Sequence, residues 1–172
     1  MELVIFVGLQ ASGKSTFFRT HFEATHTHVS KDLFRHIKNR NRRQGQLVEA
    51  ALQEGNPVVV DNTNPTVEER RPLVALGREY GAKILGYYFD SRVSECLERN
   101  RSRQGKARVP EVAIYATAKK LTCPSYSEGL DDLFCVRISG DYEFEVRAQV
   151  READANEKTR DGASPSSPEG GS

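Results

Sequence analysis

No run of apolar residues in this 172-residue sequence approaches the roughly 18 needed to cross a bilayer, which excludes a helical membrane span. Cysteine is scarce: Cys96, Cys123 and Cys135 are an odd set without a Cys-x-x-Cys spacing. Such a set supports neither a disulfide framework nor a zinc site, and it predicts a reduced, intracellular (cytoplasmic) setting. Net charge is nearly absent, since 25 Lys and Arg face 24 Asp and Glu for a formal +1. The chain is no polycation, so any role on nucleic acid must rest on local clustering of charge. There is no internal repeat, and no basic leader precedes the first apolar run. The opening MELVIFVGLQASGKST therefore predicts a buried strand rather than a signal peptide.

Apolar residues make up 37% of the chain, but the stretch from Arg151 to Ser172 contributes only three alanines to them. Without it the share rises to about 41%, near that of an ordinary folded domain. The sequence accordingly predicts one domain over residues 1–150 and a disordered tail over 151–172, ending in DGASPSSPEGGS. Within the domain, short β-rich runs alternate with amphipathic stretches. Strands are expected at Glu2 to Val7, His28 and Val29, Pro57 to Val60, Lys83 to Phe89 and Leu133 to Ile138. Helices are expected from Gly13 to Phe22, from Ser30 through about Arg40, and over Gln46 to Gln53. Three more are expected over Thr66 to Tyr80, Ser91 to Arg101 and Pro110 to about Leu121. Such alternation requires right-handed crossovers and a parallel sheet covered on both faces. The fold class is thus α/β, a three-layer sandwich of about five parallel strands, with ligands at the carboxyl ends of the strands.

Gly8-Leu9-Gln10-Ala11-Ser12-Gly13-Lys14-Ser15 matches the phosphate-loop pattern, after a strand and before a helix. Its backbone N–H groups converge on phosphate oxygens, aided by the helix N-terminus. Lys14 is positioned to reach the β- and γ-phosphates of ATP, Ser15 to ligate Mg²⁺, and Thr16 to meet the α-phosphate. The Asn-Lys-x-Asp element of a GTPase is absent, and a motor ATPase needs a longer chain. A small kinase remains.

Asp32 and Arg35 stand three apart, on one face of a helix. A kinase acting on a hydroxyl needs a carboxylate to orient the hydroxyl and accept its proton, and a guanidinium beside it can grip an acceptor phosphate. A helix-start Asp with an incidental ion pair accounts equally for the spacing. Asp61-Asn62-Thr63-Asn64-Pro65 follows a buried strand. Asp61 there is a candidate for holding Mg²⁺ through water or for orienting Ser15, while the same residue types also suit a plain polar turn. Arg99, Arg101, Arg103, Lys106 and Arg108 crowd one acid-free segment ending at Pro110, the composition of a lid that neutralises a transferring phosphoryl group. Arg99 and Arg103, four apart, are expected on one helix face. A second basic run holds Lys31, Arg35, Lys38, Arg40, Arg42 and Arg43. It reads as a strip along a nucleic-acid backbone or as a solvated face.

Taken in order, GLQASGKST, SKDLFR, VVVDNTNP and ERNRSRQGKARVP resemble the motifs of the polynucleotide 5′-hydroxyl kinase family, from about Val4 to Ile138. KKLTCPSYSEGLDDLF also resembles the closing pattern of that domain. The resemblance implies a P-loop fold of the adenylate-kinase-like type with an Arg-rich lid. It implies transfer of the γ-phosphoryl group of ATP to the 5′-hydroxyl of DNA or RNA, with Mg²⁺, in end repair. By the same resemblance Asp32 is the general base, Arg35 engages the acceptor phosphate, Arg103 stabilises the transferring group and Arg99 assists at the donor. Gly8, Gln10, Ala11, Ser12, Gly13, Lys14, Ser15 and Thr16 hold ATP, and Asp61, Asn62, Thr63 and Asn64 border the acceptor. The chain departs from many members in carrying Ser30 and Lys31 ahead of the Asp. It also lacks an Asp-x-Asp phosphatase signature, so removal of 3′-phosphates is expected of a separate phosphatase, and sealing of a separate ligase. A kinase acting on a hydroxyl of a small metabolite is the alternative reading.

Overall fold

The computed structural model describes residues 1–140 and 143–152. Apart from Arg151 and Glu152, the predicted tail lies outside the described residues. In chain order the elements are β1 (Glu2–Gly8), α1 (Lys14–His21), β2 (Thr27–Val29), α2 (Arg40–Gln53), β3 (Val58–Val60), α3 (Val67–Glu79), β4 (Lys83–Phe89), α4 (Val93–Arg101), α5 (Glu111–Lys120), β5 (Asp132–Ile138) and β6 (Phe144–Ala148). One sheet runs β2-β3-β1-β4-β5-β6. The chain winds from β1 to one side through β2 and β3, then crosses to the other through β4 and β5, all parallel. That reversal about β1 opens a crevice at the carboxyl ends of the strands.

The apolar runs are continuous because both faces of the sheet are covered. In β1, Leu3, Ile5 and Val7 pack with Val48 and Leu52 of α2 and Leu73 and Val74 of α3. Val4 and Phe6 face the other way, onto Phe17 and Phe18 of α1 and Phe89 of β4. Phe6 meets Phe89 edge-on at 5.0 Å, the preferred geometry of aromatic pairs. Below the loop after β1, Leu9 and Ala11 pack on Cys96, Leu97 and Ile114 of α4 and α5.

Three expectations need correction. The sheet has six strands, since β6 pairs antiparallel with β5. Its sequence, FEVRA, lies on an exposed edge whose charged residues weaken the apolar signal. The helix expected from Ser30 is only a 3₁₀ turn, Lys31–Phe34, and the long helix begins at Arg40. Asn39 caps it, its side-chain oxygen accepting from the N–H of Arg42 at 3.0 Å. Third, α4 ends at Arg101, so Arg103 stands beyond it and shares no helix face with Arg99. Among the described residues no helix is long and apolar enough to cross a membrane, and all three cysteines are free.

Candidate active site

A cavity of about 640 Å³ opens where the loops after β1, β2 and β3 meet the segment between α4 and α5. Its wall brings together Gln10 to Thr16, Asp32, Arg35, Asp61 to Asn64 and Arg103, which lie far apart in sequence.

The loop after β1 owes its shape to two glycines with different duties. Gly8 does not line the cavity. A Cβ there would meet Cβ of Phe89 at 2.9 Å, so glycine lets β1 lie close against β4. Gly13 caps α1 at φ 92°, a left-handed conformation that only glycine adopts freely. A Cβ at Gly13 would also press Ile138 and Phe144, each at 3.0 Å, so the antiparallel edge strand buttresses the loop. Lys14 is buried, and its ammonium donates to the carbonyls of Gly8 and Leu9 and to Oγ of Ser12. Burial pulls its pKa down from 10.5 to about 8, against the opposing pull of the Asp61 carboxylate.

Asp61, at the end of β3, is buried. Its Oδ2 accepts from Ser15 Oγ at 2.8 Å and lies 2.9 Å from His28 Nε2. His28 lies flat on Phe18, with ring centroids 3.9 Å apart. A lone histidine on a short edge strand carries no readable signal, and sequence reasoning passed over it. Asn62 accepts from the Lys31 N–H at 2.9 Å and donates to Gln44 at 2.6 Å, tying the loops after β2 and β3 together. The segment is anchored from below by Asn64, which donates to the Phe6 carbonyl at 2.8 Å. Arg70, wholly buried, donates to the Asn64 carbonyl at 2.8 Å and forms a bidentate pair with Glu128 at 2.7 and 2.8 Å. Sequence reasoning also missed Arg70, because an arginine inside a helix normally reads as a solvated residue.

Asp32 is 71% exposed and pairs with Arg35 at 3.0 Å, as their three-residue spacing on a tight turn allows. Arg35 also donates to the Lys106 carbonyl at 2.8 Å, joining the turn to the basic segment. That segment is pinned at its base by buried Asn100, which donates to the Val109 carbonyl at 2.8 Å and accepts from its N–H at 3.0 Å. Of its five predicted cations only Arg103 lines the cavity. Arg99 instead donates to the Ala11 carbonyl at 2.6 Å, bracing the phosphate loop from behind, and Arg101 pairs outward with Glu111 at 2.8 Å. Gln10 faces α5, donating to Thr117 at 2.9 Å. Thr16 lines the cavity and accepts from Arg19 at 3.2 Å.

Chemically, the cavity suits a polyphosphate: a loop at a helix N-terminus, with the Ser15–Asp61 hydroxyl–carboxylate pair and the exposed Asp32 carboxylate among its lining. Ser15 and Asp61 are hard oxygen donors side by side. That suits a small divalent cation which keeps most of its own waters, as Mg²⁺ does. Among the described residues no group of three or more His, Cys, Asp or Glu side chains forms a closed metal site.

Comparison with known proteins places this geometry in context. The family model AAA_33, described as an AAA domain, matches residues 3–124. A curated relative from Schizosaccharomyces pombe, named a bifunctional polynucleotide phosphatase/kinase, is 28% identical over 138 residues. That match covers 77% of this chain and 32% of the relative, so the chain spans about a third of that protein's length. Among solved structures, Kti12 of Chaetomium thermophilum in complex with ADP-AlF3 superposes with a TM-score of 0.64 at 15% identity, covering 95% of this chain and all of that one. A gluconokinase from Sinorhizobium meliloti 1021 superposes with a TM-score of 0.60 at 18% identity, covering 80% and 83%. The fold is that of P-loop kinases.

Proposed function

The chain belongs to the AAA_33 family, and from that premise we propose that it is an ATP-dependent polynucleotide kinase acting on 5′-hydroxyl ends of DNA or RNA. The observation that carries the reading is the Asp32–Arg35 pair, which shares one cavity with the phosphate loop. A donor polyphosphate in the loop and an acceptor hydroxyl at Asp32 then lie on opposite sides of one space. The name of the S. pombe relative supports the nucleic-acid acceptor.

In this assignment Gln10 to Thr16, Lys14 among them, hold the donor phosphates, and Arg103 neutralises charge on the transferring group. Asp32 Oδ accepts the proton of the attacking 5′-hydroxyl as its oxygen bonds to the γ-phosphorus. The bond from that phosphorus to the β–γ bridging oxygen breaks, releasing ADP and a 5′-phosphate end. Arg35 holds the first acceptor phosphate and keeps Asp32 oriented. Ser15 and Asp61 would hold Mg²⁺, which would supply neutralisation of phosphate charge during transfer. Asn62, Thr63 and Asn64 shape the wall between donor and acceptor. Arg99 acts through the loop backbone rather than on ATP. A separate phosphatase would remove 3′-phosphates, and a ligase would join the resulting 3′-hydroxyl to the 5′-phosphate made here.

The test is label transfer from γ-labelled ATP, with Mg²⁺, to short 5′-hydroxyl DNA and RNA strands beside 5′-phosphorylated controls. Label on the hydroxyl strands alone supports the assignment. ATP binding without label on any strand would transfer it to a kinase of small hydroxylated metabolites, a class that includes the gluconokinase of similar fold.

A further inference from the structure

Asp61 is held by three elements at once, and one of its partners has no part in the transfer assigned above. The Asp61 backbone N–H donates to the Val29 carbonyl at 2.8 Å, extending the parallel ladder of β2 and β3 past Val60. Its carboxylate is fixed through a single oxygen. Oδ2 accepts from Ser15 Oγ at 2.8 Å and lies 2.9 Å from His28 Nε2, the nitrogen that must carry a proton for this contact to be a hydrogen bond. Oδ1 takes no hydrogen bond from the described residues. It is not sealed in the core either, since among them the one buried side-chain polar atom without a partner is Gln10 Oε1. Asp61 lines the cavity, so Oδ1 is the carboxylate oxygen left to face it.

His28 itself does not line that cavity. It stands on β2, at one edge of the sheet, where a histidine is free to turn out to solvent. Two contacts hold it inward instead. Its ring lies flat on buried Phe18, with centroids 3.9 Å and planes 13° apart, which fixes the plane of the ring. The contact with Asp61 fixes the rotation within that plane. Phe18 stands three residues after Ser15 on α1, so one helix face supplies both supports of the carboxylate. Ser15 acts on it directly and Phe18 acts through His28. Because α1 begins at the phosphate loop, loop and carboxylate are tied into one rigid unit.

A carboxylate held by one donor can still turn either oxygen toward a ligand. Two donors from different elements, both on Oδ2, remove that choice. Resting on the kinase reading above and on the fit of Ser15 and Asp61 to Mg²⁺, we infer that His28 is a positioning residue for the cation site, pinning Oδ2 so that Oδ1 of Asp61 is presented to the cavity. A donor set fixed in advance binds a cation without reordering its side chains, and a partner behind a ligand contributes in this way.

The experiment uses calorimetry to measure ATP affinity in excess EDTA and in excess Mg²⁺, and takes the ratio as the gain that the cation confers. It compares wild type with His28→Phe, which keeps the stacked ring and removes the donor, and His28→Gln, which keeps a donor and removes the ring. The gain falls about threefold in the Phe variant, the worth of one ordinary hydrogen bond, while affinity in EDTA stays within about twofold of wild type. The Gln variant keeps most of the gain. At saturating Mg²⁺ the acceptor KM does not change in either variant, because His28 lies outside the cavity. A Phe variant with a gain equal to or above that of wild type overturns the inference, as does a wild type whose ATP affinity ignores Mg²⁺. A folded Gln variant that loses as much gain as the Phe variant also overturns it, since the ring and not the donor would then matter. Thermal melts establish that each variant is folded. Failure of the kinase reading looks different: wild type binds no ATP under either condition, or binds it and labels no 5′-hydroxyl strand while the gain from Mg²⁺ remains measurable.

Discussion

Arg35 bonds at once to Asp32 Oδ1, at 3.0 Å, and to the carbonyl of Lys106, at 2.8 Å. A single guanidinium thus links the carboxylate assigned to the acceptor with the basic segment assigned to the donor. An exposed ion pair of this kind contributes little to stability. Its value lies in orientation.

Asp32→Asn should therefore lower kcat about 10²- to 10⁴-fold, the range of general-base contributions. ATP affinity, measured by titration calorimetry, should hold steady, since Asp32 touches no part of the phosphate loop. Arg35→Ala should raise acceptor KM more than ATP KM. The opposite split would move Arg35 to the donor side.

Lys14 gives a pH prediction with a definite sign. Its folded pKa, about 8, lies below its ordinary 10.5, so between those values the folded state binds fewer protons than the unfolded. This group's contribution to stability therefore rises from pH 8 to 10.5, by about 3 kcal/mol in all. At neutral pH the buried charge is a cost, and Lys14→Met should raise Tm while abolishing polyphosphate binding. In wild type, ATP binding should take up a proton above pH 8 and weaken as the lysine neutralises. Calorimetry in buffers of different ionisation enthalpy reads that uptake directly, and zero uptake about half a unit above that pKa would contradict it.

Asp61 accepts from both Ser15 and His28 on one oxygen. Asp61→Asn should raise the Mg²⁺ concentration for half-maximal transfer about tenfold or more. His28→Phe, which keeps the stack on Phe18 but removes one hydrogen bond, should raise it less. A Mg²⁺ requirement unchanged in both variants would remove Asp61 from the metal's surroundings.

Arg70 and Glu128 are both buried and bidentately paired. Arg70→Met strands a buried carboxylate and should cost about 3–5 kcal/mol in denaturant unfolding. Arg70→Met with Glu128→Leu should recover most of that. Activity should not recover with it, because the Asn64 carbonyl still lacks the donor that holds the loop after β3 in place.

The strand–helix alternation, the phosphate loop and the order of the charged motifs are local facts. Residue spacing decides helix against strand, and a loop that wraps a phosphate needs its glycines, lysine and serine within eight positions. These are legible from Val4 to Ile138 without coordinates. Asp32 and Arg35 are likewise legible as a pair, although on a 3₁₀ turn rather than a helix, since spacing of three satisfies both. Other relationships depend on which elements become neighbours. The Arg99 bond to Ala11, the Arg70–Glu128 pair, the grip of His28 on Asp61 and the wall that Phe144 sets against Gly13 all join distant parts of the chain. Their residue types are ordinary, and only burial against a specific partner gives each its role. Charge runs show the difference most plainly. Five basic residues in one segment look alike in sequence, yet the packing of α4 and α5 sends one into the cavity, one behind the loop and one out to Glu111.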